Sequence, residues 1–157
     1  MTTRNQNGYL DHHAPQLPGT ARAALEFYHS VFGGQVHTIT YGELGMPQEL
    51  PDAGKIVFGQ LQADNGFRVM AYDIPGRTEE FTSSTHRNNG ATSTDSPFFL
   101  SVRGETRDEV TGYWDGLTDG ATIIESLAAS AWTPGFGMLT DRFGLTWVID
   151  VQPADAG

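Results

Sequence analysis

The fold is decided by residues 20–34, which read TARAALEFYHSVFGG. Apolar side chains recur every three or four residues from Ala24 to Phe32, the spacing of an amphipathic helix that packs one face on a core. Thr20 is suited to cap the first turn of such a helix, and the glycine pair at 33–34 is suited to end it. The pattern therefore predicts a helix from Thr20 to Phe32.

Short β-rich segments lie on both sides of this helix. One strand is expected before it at 10–17, where Pro15 favours an irregular or edge strand. Three strands are expected after it, and a tight turn at Asp64-Asn-Gly66 separates the last two; the three are 36–41, 56–63 and 67–73. The first half of the chain therefore reads as a βαβββ module at residues 9–73.

The second half repeats this order. Tyr113 and Trp114 lie 86 residues after Phe27 and Tyr28, so an aromatic pair occupies the same place on both predicted helices. The predicted elements of this half are a strand at 97–102, a helix at 106–117 and strands at 121–126, 137–140 and 145–151. They form a second module at 97–152, and residues 74–96, rich in Ser, Thr, Asn and Gly, are expected to be a flexible connector.

The two modules predict an α+β fold within a single domain, residues 1–157. A module of this size cannot hide its sheet face alone, so two modules are expected to pack together. We expect two four-stranded mixed sheets that curl around a shared cleft.

Composition excludes several classes of function. The chain has a net charge of −10, a single lysine and no basic cluster, which argues against binding to nucleic acid or to an anionic membrane. The absence of cysteine excludes disulfides, zinc–thiolate sites and thiol nucleophiles. No apolar run is long enough to span a membrane, and the polar start has no signal-peptide core, so a cytoplasmic location is expected.

Two stretches carry a family resemblance. Residues 21–34 resemble the first helix of the PhnB-like branch of the vicinal oxygen chelate superfamily, which includes glyoxalase I, bleomycin-resistance proteins and extradiol dioxygenases. Residues 132–147, WTPGFGMLTDRFGLTW, are similar to the C-terminal signature of that branch, except that Thr133 and Pro134 displace the glycine that follows the tryptophan. The resemblance implies the two-module fold and a homodimer, but it does not fix an activity.

The resemblance also bears on metal binding. In metal-dependent members of the superfamily, His, Gln or Glu ligands come from the first and last strands of each module. The matching positions here carry His13, Met70, Phe99 and Val148. One imidazole and three apolar groups cannot make such a site, so we expect no metal and no other cofactor. His13 is then expected to line the pocket or to serve a structural role, and a cluster that uses Asp73 or Asp150 is a less favoured alternative.

Strand alternation and loop position suggest which residues line the cleft. Most are apolar, which suits a small, largely apolar or aromatic ligand. Trp132 and Phe136 are candidates for a hydrophobic lid or, equally, for a structural contact between modules or subunits. Arg68 is the one charged side chain directed at the cleft, where it would hold a carboxylate or phosphonate or pair with a local acid. The candidate ligand-binding residues are His13, Phe58, Gln60, Arg68, Met70, Tyr72, Phe99, Trp132, Phe136 and Val148.

The sequence thus predicts a homodimeric protein that binds a small organic molecule without a catalytic metal, with no catalytic residue assigned. One alternative is a closed core in which the apolar cleft residues simply pack together. Another is a metal-dependent lyase, dioxygenase or thiol-transferase with a non-standard metal site. The branch also carries the label 3-demethylubiquinone-9 3-methyltransferase, but the sequence shows no Gly-rich nucleotide-binding unit, which disfavours methyl transfer.

Overall fold

The structure, a computed structural model, describes residues 12–80 and 82–153. The backbone divides into two units, with the boundary between residues 81 and 82. Each unit holds one helix and one four-stranded mixed sheet. The predicted α+β fold of two βαβββ modules is confirmed.

The first unit pairs its strands in the order β1-β5-β4-β3, with β1 and β5 parallel and the other pairs antiparallel. β2 follows β1 and β6 follows β5 in the chain, and these two short strands form a second parallel pair. The elements of this unit are β1 (His12–His13), β2 (Gln16–Leu17), α1 (Ala21–Phe32), β3 (Gln35–Thr40), β4 (Ile56–Gln62), β5 (Arg68–Met70) and β6 (Tyr72–Asp73).

Helix α1 covers one face of this sheet because its apolar stripe packs on β3 and β4. Leu25 and Tyr28 of α1 are fully buried, as are Leu61 and Val69, which pair in register on neighbouring strands. Gly59 lies directly under Leu25, since a Cβ at position 59 would come within 2.5 Å of the Leu25 Cδ1 atom. The helix can therefore approach the sheet closely.

The second unit repeats this topology in the order β10-β11-β12-β9, with β9 and β12 parallel. Thr106 caps α2 by accepting a hydrogen bond from the Glu109 N–H at 3.2 Å, and Gly137 lies under the Trp114 ring as Gly59 lies under Leu25. The elements of this unit are β7 (Thr85–Asn88), β8 (Ala91–Thr94), β9 (Leu100–Gly104), α2 (Arg107–Leu117), β10 (Thr122–Ala128), β11 (Phe136–Thr140) and β12 (Thr146–Val151).

One sequence prediction is corrected by the hairpin β7–β8. The segment 74–96 was expected to be a flexible connector, yet β7 and β8 pair antiparallel within it. The turn joins them through Asn89 and Gly90, whose φ angles of 51° and 79° are those of a tight hairpin turn. The side chains of Thr85 and Thr94 also contact across the pair, 2.9 Å between their hydroxyl oxygens.

Two predicted strands differ from the observed ones. The first becomes β1 and β2 on either side of Pro15, whose carbonyl accepts the Tyr72 N–H at 3.1 Å. The strand expected at 97–102 begins only at Leu100, so Phe99 precedes β9.

Thr20 makes no side-chain cap to α1, and the Asp73 carboxylate accepts the Ala21 N–H instead. Among the described residues, no helix is long and apolar enough to cross a membrane.

Candidate functional site

The candidate residues of the first unit lie on the face of its sheet opposite α1, here called the helix-free face. Met70 and Gln60 pair in register, and so do Arg68 and Gln62. These positions alternate with the buried Leu61 and Val69 on the α1 side. The candidates on this face, all partly exposed, are Phe58, Gln60, Arg68, Met70 and Tyr72.

Three of these residues form an apolar cluster. The rings of Phe58 and Tyr72 have centroids 6.2 Å apart and planes tilted by 35°, within the range of favourable aromatic pairs. The Tyr72 hydroxyl lies 3.9 Å from the Met70 sulfur, so the thioether continues the aromatic surface. The structure therefore brings together the three apolar side chains that the sequence assigned to this part of the site.

Arg68 is the first residue of β5, an interior strand between β1 and β4. Its neighbours in register are His12 on β1 and Gln62 on β4. No hydrogen bond or ion pair links its guanidinium to another described residue, and its Nε atom is inaccessible to solvent. The expectation that a local acid would pair with Arg68 therefore has no counterpart among the described residues.

His13 was the candidate of the first strand. The register pairs His13 with the buried Val69 and pairs His12 with Arg68. In the register of β1 and β5, His12 thus lies opposite Arg68. The side chains of both histidines lie outside the described part of the structure.

The candidates of the second unit include a cluster around Phe136, the first residue of β11. The Trp132 ring lies 6.1 Å from the Phe136 ring, and Trp132 is 54% exposed. The Arg87 guanidinium of β7 lies 4.6 Å from the centre of the Phe136 ring and forms an ion pair with Glu125 of β10. Arg87 and Glu125 thus tie the hairpin to the sheet, and neither was a candidate from the sequence.

Val148 lies on the face of the second sheet opposite α2, because it alternates with the fully buried Trp147 and Ile149. Its partners in register are Met138 and Ser101. Phe99 is partly exposed and lies two residues before Ser101, outside β9. Val148 therefore has the orientation expected from strand alternation.

The loop that carries Trp132 is fixed by the residue that displaces the signature glycine. Thr133 is buried, and its hydroxyl donates to the Val151 carbonyl at 2.7 Å. The Thr133 carbonyl accepts the Ser130 N–H at 2.9 Å. The departure from the family pattern thus has a structural role at the end of β12.

The positions that match the family's metal ligands do not fit a divalent cation. Met70, Phe99 and Val148 offer a thioether, a phenyl ring and an isopropyl group, and none supplies the oxygen or nitrogen ligands that such an ion prefers. Among the described side chains, which do not include those of His12 and His13, no cluster of three His, Asp or Glu residues is arranged to hold a metal.

Asp73 and Asp150, the alternative candidates for a metal site, form other contacts. Asp73 is buried and accepts the backbone N–H groups of Ala21 and Ile56 at 2.9 and 2.8 Å. Asp150 forms a two-point contact with Arg103, and its carboxylate raises the pKa of that guanidinium above the ordinary value. Both carboxylates thus have structural partners.

Comparison with known proteins agrees with the geometry. The sequence model of the Glyoxalase/Bleomycin resistance protein/Dioxygenase superfamily matches residues 10–149. The chain belongs to this superfamily. The family predicted from the two sequence motifs is therefore confirmed.

Individual relatives extend this likeness over most of the chain. Protein YjdN of Escherichia coli (strain K12) is 26% identical over 140 residues, which cover 85% of this chain and 88% of YjdN. Protein PA1353 from Pseudomonas aeruginosa has a similar structure, with a TM-score of 0.69 and 22% identity over 90% of this chain and 96% of PA1353. A PhnB protein from Bacillus cereus gives a TM-score of 0.63 at 20% identity, covering 90% of this chain and 98% of its own. The two solved structures share the fold of this chain.

Proposed function

We propose that this protein binds a small, largely apolar organic molecule on the helix-free face of its first sheet, without a catalytic metal. The observation that carries the proposal is the Phe58–Tyr72 ring pair, 6.2 Å between centroids, with the Met70 thioether beside it. Aromatic and thioether groups on a partly exposed face offer a flat apolar ligand both contact area and favourable ring packing. Gln60 supplies a hydrogen-bonding group at the centre of that face.

The ligand positions of the superfamily support the same proposal. At three of the four positions where metal-dependent members place His, Gln or Glu, this chain places Met70, Phe99 and Val148, and His13 occupies the fourth. These substitutions remove donors and add apolar surface, which favours ligand binding over metal-assisted chemistry. A second apolar surface, formed by Trp132 and Phe136, is proposed as part of the binding machinery of the second unit.

Calorimetric titration with 2-naphthamide, a neutral flat aromatic probe, tests the proposal. We expect one saturable site in the native protein. Phe58→Ala should weaken binding about tenfold, because ring contacts and buried apolar area are lost together. Phe98→Ala is the matched control, since Phe98 is 50% exposed and lies on the second unit. No saturable binding, or equal losses in the two variants, would refute the proposal.

A homodimer and a cytoplasmic location are further proposals. The exposed apolar side chains Leu44 and Leu50 supply surface that a second copy would cover. Light scattering after size-exclusion chromatography should give twice the 17.1 kDa chain mass, and a single-chain mass would refute the dimer. Cell fractionation tests the location.

A further inference from the structure

We infer that the ligand is an organic monoanion, an aromatic or branched aliphatic carboxylate, whose charged group binds the Arg68 guanidinium while its body lies against Phe58, Met70 and Tyr72. This inference rests on the proposed function and names the chemical class of its ligand.

The environment of the Arg68 guanidinium differs from that of the basic side chains that form ion pairs. The described residues include four basic side chains that form ion pairs with carboxylates, namely Lys55, Arg87, Arg103 and Arg142. Arg68 has no such partner among the described residues, and its Nε atom is shielded from water without a hydrogen-bond acceptor. A shielded guanidinium N–H is unfavourable unless an acceptor reaches it. The two terminal nitrogens are not shielded in this way, so an anionic ligand could reach them and supply the negative partner that the guanidinium lacks.

Arg68 lies on the same face of the sheet as the apolar cluster. The residue begins β5, and Met70 lies two positions further on the same helix-free face. The Tyr72 hydroxyl contacts the Met70 sulfur, and the Tyr72 ring packs near Phe58. A positive group thus stands at one end of a continuous apolar surface. This order matches a ligand with one charged end and an apolar body.

The positive charge on the helix-free face favours a monoanion over a dianion. A guanidinium offers a planar fork of donors that matches a carboxylate with two parallel hydrogen bonds. On the helix-free face, Arg68 is the single Arg or Lys among the described positions of β3 to β6, and His37 of β3 lies opposite Gln60. The chain as a whole carries a net charge of −10, which opposes the approach of a dianion. A monoanionic carboxylate is therefore favoured over a phosphonate.

Paired titrations with 2-naphthoate and 2-naphthamide test the inference, since the two probes differ mainly in charge. We expect the native protein to bind 2-naphthoate at least about tenfold more tightly, the usual scale of a charge-assisted hydrogen bond. Added NaCl should weaken 2-naphthoate binding and leave 2-naphthamide binding nearly unchanged. Phenylphosphonate should bind more weakly than benzoate.

Substitutions of Arg68 test whether this residue causes the preference for 2-naphthoate. Arg68→Met should remove the preference for 2-naphthoate while retaining the affinity for 2-naphthamide, and Arg68→Lys should keep only part of the preference. Arg77→Met changes the net charge equally at a residue outside the strands, so it should leave the preference intact.

The results separate this inference from the function on which it rests. Saturable binding of both probes with equal affinity in the native protein, or a preference that survives in Arg68→Met, would overturn the carboxylate inference alone. Failure of both probes to bind would overturn the proposed function and this inference with it. The comparison of the two probes in the native protein keeps the test decisive even where a variant fails to fold.

Discussion

The Asp73 carboxylate accepts the backbone N–H of Ala21, 52 residues earlier in the chain, at 2.9 Å. Its other oxygen accepts the Ile56 N–H at 2.8 Å. One buried side chain at the end of β6 therefore satisfies the first N–H of α1 and the first N–H of β4. The contact fixes the start of the helix that covers one face of the sheet.

Replacing this carboxylate should destabilise the first unit. Asp73→Ala leaves two buried N–H groups without acceptors, so we expect a loss of about 3 kcal/mol in the free energy of unfolding. Urea denaturation followed by circular dichroism measures it. Asp115→Ala removes an exposed carboxylate and should change stability by less than about 0.5 kcal/mol. Equal losses in both variants would contradict the role assigned to Asp73.

Close approach of α1 to its sheet gives a second prediction. A Cβ at Gly59 would meet the Leu25 Cδ1 atom at 2.5 Å and the Ala71 carbonyl oxygen at 2.8 Å. Gly59→Ala should therefore cost about 1–3 kcal/mol through overpacking. Gly54→Ala is the matched control, since a Cβ there meets nothing within 4 Å. Thermal unfolding of the two variants checks the difference, and similar melting temperatures would show that the helix can shift freely.

A third prediction concerns the hairpin β7–β8. The Arg87 guanidinium lies 4.6 Å from the centre of the Phe136 ring and pairs with Glu125. A double-mutant cycle with Arg87→Met and Phe136→Leu should give a coupling energy of about 0.5–2 kcal/mol, because the cation is largely desolvated at the ring face. The cycle is measured by urea denaturation.

A control cycle mutates Arg142 in place of Arg87. The Arg142 guanidinium pairs with the Asp119 carboxylate at 2.9 Å. Arg142→Met and Phe136→Leu should be additive within about 0.5 kcal/mol, because the guanidinium of Arg142 is held at Asp119, beyond the end of α2. Coupling in both cycles, or in neither, would mean that the Arg87 contact does not hold the hairpin.

Local periodicity was sufficient to predict both helices. The apolar spacing from Ala24 to Phe32 led to α1 within one residue of its start, and Thr106 caps α2 as expected. Alternation likewise placed Met70 and Val148 opposite the helices, because a strand has only two faces. These features depend on neighbours a few residues away.

The missed features depend on distant contacts or on a weak local signal. In the sequence, nothing distinguishes Asp73 from an ordinary strand-end acid, because its partners Ala21 and Ile56 are remote. The hairpin did have a signal in Asn89-Gly90 between threonine-rich stretches, but polar composition masked it. The register of His12 and His13 cannot be read from alternation alone, because a shift of one residue exchanges the faces.

Metal dependence tests the central claim most directly. Protein purified without a histidine tag should contain substoichiometric Ni, Mn, Fe and Zn by mass spectrometry, and 2-naphthamide should bind equally well before and after chelation and after each metal is added back. Binding of the probe that requires one metal ion per chain, lost on chelation and restored by one of these ions, would contradict the claim and point to a metal-dependent enzyme.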